Sequence, residues 1–323
     1  MPHCPQQPLS FSSTVPREAV HRAAVSEVFL TDVRRVSDQE FLAAAQLPRN
    51  HAYYSDHDTV VPSYDPLLVL EVFRQTFLYL GHEFLDVQPS HKSFLDGAEL
   101  TITDPAALRV GPHPGHMLVR LHTGEEQRRA GRLTGLTVDM RATVDDREAV
   151  MGRLAFAWTT ASVWNTLRSR GRAGLHLDPA RPYLSAPGFD PSAAGRLSPR
   201  NVLLAGVRVQ DEEVVGQVAV DRSHPSLFDH PLDHIPGAVM VEAFRQTALL
   251  AAHTVLGLPP RELSVTRLSV DFTRFAEFEL PTDCRAVLLD TADNGSTAVF
   301  AMAVLQEGVE TAVGTIVLSR ILP

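Results

Sequence analysis

"LEVFRQT" at residues 70–76 and "VEAFRQT" at residues 241–247 are nearly the same word, written twice in one chain 171 positions apart. At the same offset Ser55, Asp58 and Ser93 fall on Ser226, Asp229 and Ser264, and Glu71, Phe73, Arg74, Gln75 and Thr76 fall on Glu242, Phe244, Arg245, Gln246 and Thr247. Upstream the register moves by two: Val36, Asp38, Glu40, Arg49 and His51 match Val209, Asp211, Glu213, Arg222 and His224. A period slightly over half of a 323-residue chain predicts two copies of one structural unit separated by a small insertion or deletion.

The words lie in the most apolar stretches of the chain, residues 66–80 and 237–255. Each is apolar almost all round, which predicts a helix buried on most sides. Pro66 and Pro236-Gly237 suit the first turn of these helices. Runs of β-type residues follow: 98–103, 117–122, 133–144 and 154–164 in the first half, then 264–272, 285–290, 297–305 and 311–318 in the second. A long buried helix wrapped by a largely antiparallel sheet is the hotdog plan, so the expected fold is α+β, a tandem double hotdog. The expected division is a flexible arm over 1–19, a hotdog domain over 20–170, a Pro/Gly/Ser-rich linker over 171–200 and a second hotdog domain over 201–323. Such a chain would be a monomeric pseudo-dimer or a homodimer.

A net charge of −9 argues against a nucleic acid or an anionic membrane as partner, since both require a basic surface. Apolar runs fall short of a membrane span and the N-terminus lacks a signal peptide, so the expected location is cytoplasmic. Cys4 and Cys284 form neither a metal nor a redox spacing, and neither a metal nor another cofactor is expected.

Within the apolar helices the polar residues carry the information. Glu71, Arg74 and Gln75 stand at i, i+3 and i+4 and share one face, as do Glu242, Arg245 and Gln246. An internal ion pair is the ordinary reading of such a set. Burying charge is costly, which makes a functional role the competing reading.

The segment "SHPSLFDHPLDHIPGAVMVEAFRQTALL", residues 223–250, resembles the centre of the AfsA-type butyrolactone synthases, the A-factor biosynthesis hotdog proteins of actinomycetes. "VHRAAVSEVFLTDVRR" at 20–35 and "AQLPRNHAYY" at 45–54 resemble that family's leading motifs, with His21-Arg22 where His-Lys is usual. The resemblance implies acyl transfer from a β-ketoacyl thioester, on acyl carrier protein or coenzyme A, to the hydroxyl of dihydroxyacetone phosphate. The product would close to a butenolide phosphate, precursor of a γ-butyrolactone signal controlling antibiotic production. "PGAVMVEAFRQ" is also similar to the helix start of β-hydroxyacyl thioester dehydratases, which places Glu242 on their catalytic carboxylate. Their catalytic histidine falls on Phe228 unless a two-residue gap brings in His230, which counts against dehydration.

Acyl transfer needs a base for the acceptor hydroxyl and donors for the oxyanion. Glu242 is the first candidate for base, a carboxylate whose proton affinity an apolar pocket would raise. Arg245 is the candidate for phosphate or oxyanion, and Gly237 and Ala238 offer unpaired N–H groups at the helix start. His230, His234, Asp229, Gln246 and Arg74 are candidates for substrate binding, and Arg22 for contact with phosphate or carrier. Because Asp65-Pro66 replaces Pro236-Gly237 in the first half, the main site is expected in the second half, with Glu71 in support. The rival readings are a hotdog thioesterase or enoyl-thioester hydratase, and a non-catalytic acyl-ligand sensor.

Overall fold

The computed structural model describes residues 8–179 and 190–321. Three α-helices and twelve strands make up the regular structure among them: α1 (Pro66–Phe84), α2 (Ala161–Arg172) and α3 (Gly237–Leu256), with β1 (Leu30–Arg35), β2 (Glu40–Leu47), β3 (Lys92–Ile102), β4 (Gly115–Arg129), β5 (Arg132–Val144), β6 (Arg147–Thr159), β7 (Leu204–Gln210), β8 (Glu213–Val218), β9 (Leu263–Phe272), β10 (Asp283–Ala292), β11 (Thr297–Gln306) and β12 (Val309–Arg320). Asp65 starts α1 by accepting the Leu67 N–H at 2.8 Å, with Pro66 at the first helical position. Gly257, at φ 67°, stops α3 in the left-handed conformation that glycine adopts without strain. Phe73, Phe77 and Phe244 are fully buried where these helices meet the sheet.

All twelve strands form one antiparallel sheet in the order β1-β2-β4-β5-β6-β3-β9-β12-β11-β10-β8-β7. From the centre outwards each half repeats one order, since β3, β6, β5, β4, β2 and β1 correspond to β9, β12, β11, β10, β8 and β7. The halves meet at the antiparallel pair β3·β9. There the 171-residue offset exchanges the pair Gly97 with Asp271 for the pair Leu268 with Leu100. A pseudo-two-fold axis therefore runs through this ladder, and the chain is an α+β double hotdog.

Several boundaries differ from the sequence expectation. The strand expected over 154–164 stops at Thr159, and Thr160 caps α2, which puts Trp164 on a helix. The strands β1, β2, β7 and β8, the outer two at each end of the sheet, carry the repeat but lie outside the runs that the sequence predicts as strands. Of the expected arm, residues 1–7 lie outside the described residues. From Val15, whose N–H bonds the Leu30 carbonyl at 3.0 Å, the chain is packed rather than frayed. Residues 180–189 of the expected linker also lie outside the described residues, but 191–194 and 199–201 form 3-10 turns around a buried Arg196. That side chain forms part of the second-half polar cluster.

Candidate functional site

Each central helix presents its Glu-Arg-Gln face to a segment that precedes β1 or β7. On α1, Glu71 accepts from Arg74 Nε at 2.8 Å and Nη2 at 2.9 Å, from Arg22 Nη2 at 2.6 Å and from Gln75 Nε2 at 2.7 Å. Gln75 also donates to the Glu27 carbonyl at 2.7 Å and accepts the Phe29 N–H at 2.9 Å. On α3, Glu242 accepts from Arg196 Nε at 3.0 Å and Nη2 at 2.8 Å, from Arg245 and from Gln246. Gln246 donates to the Asn201 carbonyl at 2.7 Å and accepts the Leu203 N–H at 2.8 Å. Arg22, Glu27 and Phe29 thus correspond to Arg196, Asn201 and Leu203 at an offset of 174.

The loops before the helices cross between halves. Asp229 accepts the Ala23 and Ala24 N–H groups at 2.6 and 3.0 Å, and Asp56 accepts the Ser198 N–H at 3.1 Å. Asp56-His57 is therefore the counterpart of Asp229-His230 at offset 173, and the register change falls after His57 rather than before Ser55. This corrects the pairing of Asp58 with Asp229.

Two equivalent sites result, and only one is open. A cleft of about 780 Å³ reaches Glu71, Arg74, Arg22 and His21, together with His230, His234 and the start of α3 at Pro236, Gly237 and Ala238. Its remaining wall is largely apolar, from Leu95, Phe156, Leu167, Leu227, Met240 and Phe272. Gly237 is needed there, because a Cβ would stand 2.9 Å from the Phe272 ring. The equivalent place around Arg245, His57 and the start of α1 is reduced to about 50 Å³. Glu242 and Gln246 have no exposure, and Arg245 is held by Asp65 as well as by Glu242.

The open cleft joins the halves: Glu71 and Arg74 of the first line it with Gly237, Ala238, His230 and His234 of the second, whereas Glu242, Arg245 and Gln246, expected at the centre of a second-half site, are enclosed. Asp229 is also enclosed, with both carboxylate oxygens held by backbone N–H groups. Gly237, His230, His234 and Arg74 do come together, and Arg22 joins them. Arg22, a candidate for phosphate or carrier in the sequence, is instead the second arginine on Glu71, and its counterpart on Glu242, Arg196, is absent from the sequence reading of the site. Its signal was the spacing Arg22, Val28, Leu30 against Arg196, Val202, Leu204, which continues the repeat beyond its second register change.

The electrostatics overturn the expected base. Burial alone would push the Glu71 carboxyl up, but the Arg22 and Arg74 guanidiniums outweigh it and hold it at about 2. Burial opposes ionisation of Glu242 too, and Arg196 and Arg245 bring it below the usual value. Both are carboxylates with little proton affinity near neutral pH. Burial, then Arg74 and Arg22, lower the pKa of His230, so the imidazole that lines the cleft is neutral. Its Nδ1 has no hydrogen-bond partner, lying 3.6 Å from Asp229. His234 instead bonds Asp233 at 2.6 Å and packs edge-on to Phe275. Cys284 is buried, which pushes its thiol up to about 12 and leaves it unreactive. Among the described residues no group of His, Cys, Asp and Glu could hold a metal ion, and no helix is long and apolar enough to cross a membrane.

Comparison with known proteins gives a consistent picture. The family model for the A-factor biosynthesis hotdog domain matches residues 4–162 and 186–321. A 2-oxo-3-(phosphooxy)propyl 3-oxoalkanoate synthase of Streptomyces virginiae is 33% identical over 89% of this chain and 92% of its own length. A synthase of the same name from Streptomyces griseus is 29% identical over 87% of this chain and 88% of its own. Among solved structures, the 12:0-ACP thioesterase of Umbellularia californica superposes with a TM-score of 0.52 at 9% identity, covering 87% of this chain and 94% of that one. The dehydratase domain of RzxB from Pseudomonas fluorescens gives 0.51 at 11% identity, covering 90% and 98%. At such identities the structural likeness speaks for the fold alone.

Proposed function

Because the chain belongs to the A-factor biosynthesis hotdog family, we propose that it is an acyltransferase joining a β-ketoacyl thioester to dihydroxyacetone phosphate. The β-ketoacyl ester so formed closes to a butenolide phosphate, the precursor of a γ-butyrolactone-type signalling molecule. The name of the relatives, that of a synthase for an oxoalkanoate ester of a phosphorylated three-carbon ketone, describes such an ester. The observation that carries the reading is the open cleft, apolar along its wall and polar at the end where Arg74, His230 and the start of α3 meet.

The apolar wall suits the acyl chain, whose burial is favourable by about 0.8 kcal/mol per methylene. At the polar end, the neutral His230 takes the proton of the acceptor hydroxyl as the oxygen bonds to the thioester carbon. The C–S bond then breaks and the departing thiolate takes that proton. Glu71, ionised and held by two arginines, fixes their positions and leaves proton transfer to His230. The donor thioester, from acyl carrier protein or coenzyme A, enters through the exposed mouth of the cleft.

Mass spectrometry of the products from a β-ketoacyl thioester and dihydroxyacetone phosphate tests the reading. The expected product is the phosphorylated β-ketoacyl ester or its butenolide. Thioester consumed to free acid alone, with acceptor present, would replace this reading by thioester hydrolysis.

A further inference from the structure

The two equivalent sites differ at one position that decides what fills them. Position 65 is aspartate, and its counterpart at the 171-residue offset is Pro236. In the enclosed site the Asp65 carboxylate collects three donors. Oδ1 accepts the Leu67 N–H at 2.8 Å, Arg245 Nη1 reaches both oxygens at 2.8 and 2.9 Å, and His57 Nε2 lies 2.8 Å from Oδ2. Each donor has a counterpart in the open site: Ala238 and Arg74 at offset 171, and His230 at offset 173. All three line the cleft. The Ala238 N–H and Arg74 Nη1 bond nothing among the described residues, and Pro236 offers no polar side chain to meet them.

We infer that the open site seats the tetrahedral intermediate of acyl transfer as the enclosed site seats Asp65, with the oxyanion on the Ala238 N–H and Arg74 and the attacking oxygen on His230. This rests on the acyl-transfer reading above. A carboxylate is a carbon bearing two oxygens that share a negative charge. The intermediate likewise presents its oxyanion and the incoming oxygen on one carbon. As the acceptor oxygen bonds to the thioester carbon, its proton passes to His230 and the carbonyl electron pair becomes the oxyanion. When that pair returns, the C–S bond breaks and His230 gives the proton to the thiolate. Arg74 remains a cation throughout: Glu71 takes its Nε and Nη2, leaving Nη1 to the oxyanion. Arg74 is thus a catalytic residue, and the enclosed site shows the donor set in use.

Placing a carboxylate in the open seat is the direct test. Pro236→Asp puts one at the counterpart of Asp65, at an N-cap where aspartate is favoured. The expected protein melts at a higher temperature than the parent and forms ester at least about 100-fold more slowly. The gain in melting temperature should vanish in Pro236→Asp/Arg74→Gln, the pairwise signature of contact between the two side chains. In the parent background, Arg74→Gln should lower kcat by roughly 10² to 10³ with little change in KM for dihydroxyacetone phosphate, and unphosphorylated dihydroxyacetone should lose as much. Arg74→Lys should recover part of the rate.

A Pro236→Asp protein that is no more stable, or that still forms ester at the parental rate, overturns the inference. So does an Arg74→Gln effect confined to KM for the phosphorylated acceptor, which would make the seat one for phosphate. Should the parent form no ester at all, the acyl-transfer reading falls and this occupant with it, while the Pro236→Asp cycle still decides whether the three donors seat a carboxylate. A parent that forms ester beside an Arg74→Gln variant of unchanged kcat sinks this inference alone.

Discussion

At the scale of single residues, the two glutamates answer the same buried-charge problem with opposite consequences. Each is flanked by two arginines, because one guanidinium would not offset the cost of removing a carboxylate from water. Around Glu71 one side of this group faces a cleft, whereas Glu242 is shut in by Arg196, itself 1% exposed. Glu242→Gln leaves Arg196 without its counter-charge and should cost about 3 to 5 kcal/mol. The protein that stays folded should retain ester formation, since Glu242 lies outside the cleft. The folded-state pKa of Glu242 is depressed, so its contribution is complete above the ordinary value of 4.5 and is lost as the pH falls below it. The gap in melting temperature between parent and Glu242→Gln should therefore be widest near neutral pH and narrow under acid conditions. Melting curves from pH 7 down to about pH 3 check this, and a gap that widens with acid would contradict it. The Glu-Arg-Gln spacing was legible in the sequence because it sits in a gapless part of the repeat. Which copy is open was not: the exchange of Asp65-Pro66 for Pro236-Gly237 is visible in the sequence, but that the Asp65 carboxylate fills its own site shows only in the fold, and the second arginines lie beyond two register shifts.

At the scale of elements, α2 stands on the side where the cleft is. It follows β6 of the first half yet packs on the second. Arg168 forks onto Glu277 at 2.6 and 2.8 Å and donates to the Asp233 carbonyl at 2.8 Å, and Trp164 Nε1 donates to Asp233 Oδ2 at 3.2 Å. The fork holds Leu167 and Gly171 as one wall of the cleft. Arg168→Ala should loosen that wall, leave Glu277 a buried carboxylate with only Arg172, and raise KM for the acyl thioester several-fold more than KM for the acceptor. Steady-state kinetics with both substrates varied separate the two. Equal effects would mean that α2 only stabilises the fold. Only its first four residues fall in the strand expected over 154–164, because Val163 and Trp164 suit a strand as well as an amphipathic helix, and the Thr160 cap that decides between them is a short signal. The strands β1 and β2 were missed for a related reason, since "EFLAAAQL" in β2 has no β-branched residue and three alanines. The inner strands, which pack a buried face against a helix, show the expected runs.

At the scale of the whole molecule, duplication binds the halves more tightly than two domains on a linker. The central ladder β3·β9 makes one sheet of two, so separating the halves would expose an unpaired edge on each. The polar crossings add to this: Asp65 of the first half neutralises Arg245 of the second, Asp229 of the second holds the N–H groups beside Arg22, and Arg196 Nη1 donates to the Tyr53 carbonyl at 2.7 Å. The open cleft itself takes Glu71 and Arg74 from one half and His230 and the α3 start from the other. A fragment of residues 190–323 would carry Arg245 with one partner lost and β9 with one face of its ladder bare, and a fragment of 1–179 would lack half the site. Neither fragment should give a cooperative melting transition alone or form ester. Mixed after co-expression, the two should associate one to one and recover part of the parental activity, because the contacts that join them are the ladder and ion pairs just named, which do not need the intervening chain. Size-exclusion chromatography, melting curves and product assays on the separate and co-expressed fragments decide the matter. A fragment that folds cooperatively as a monomer would show that each hotdog unit is stable without the shared sheet, and co-expressed fragments that fail to associate would show that the segment between them is part of the joint.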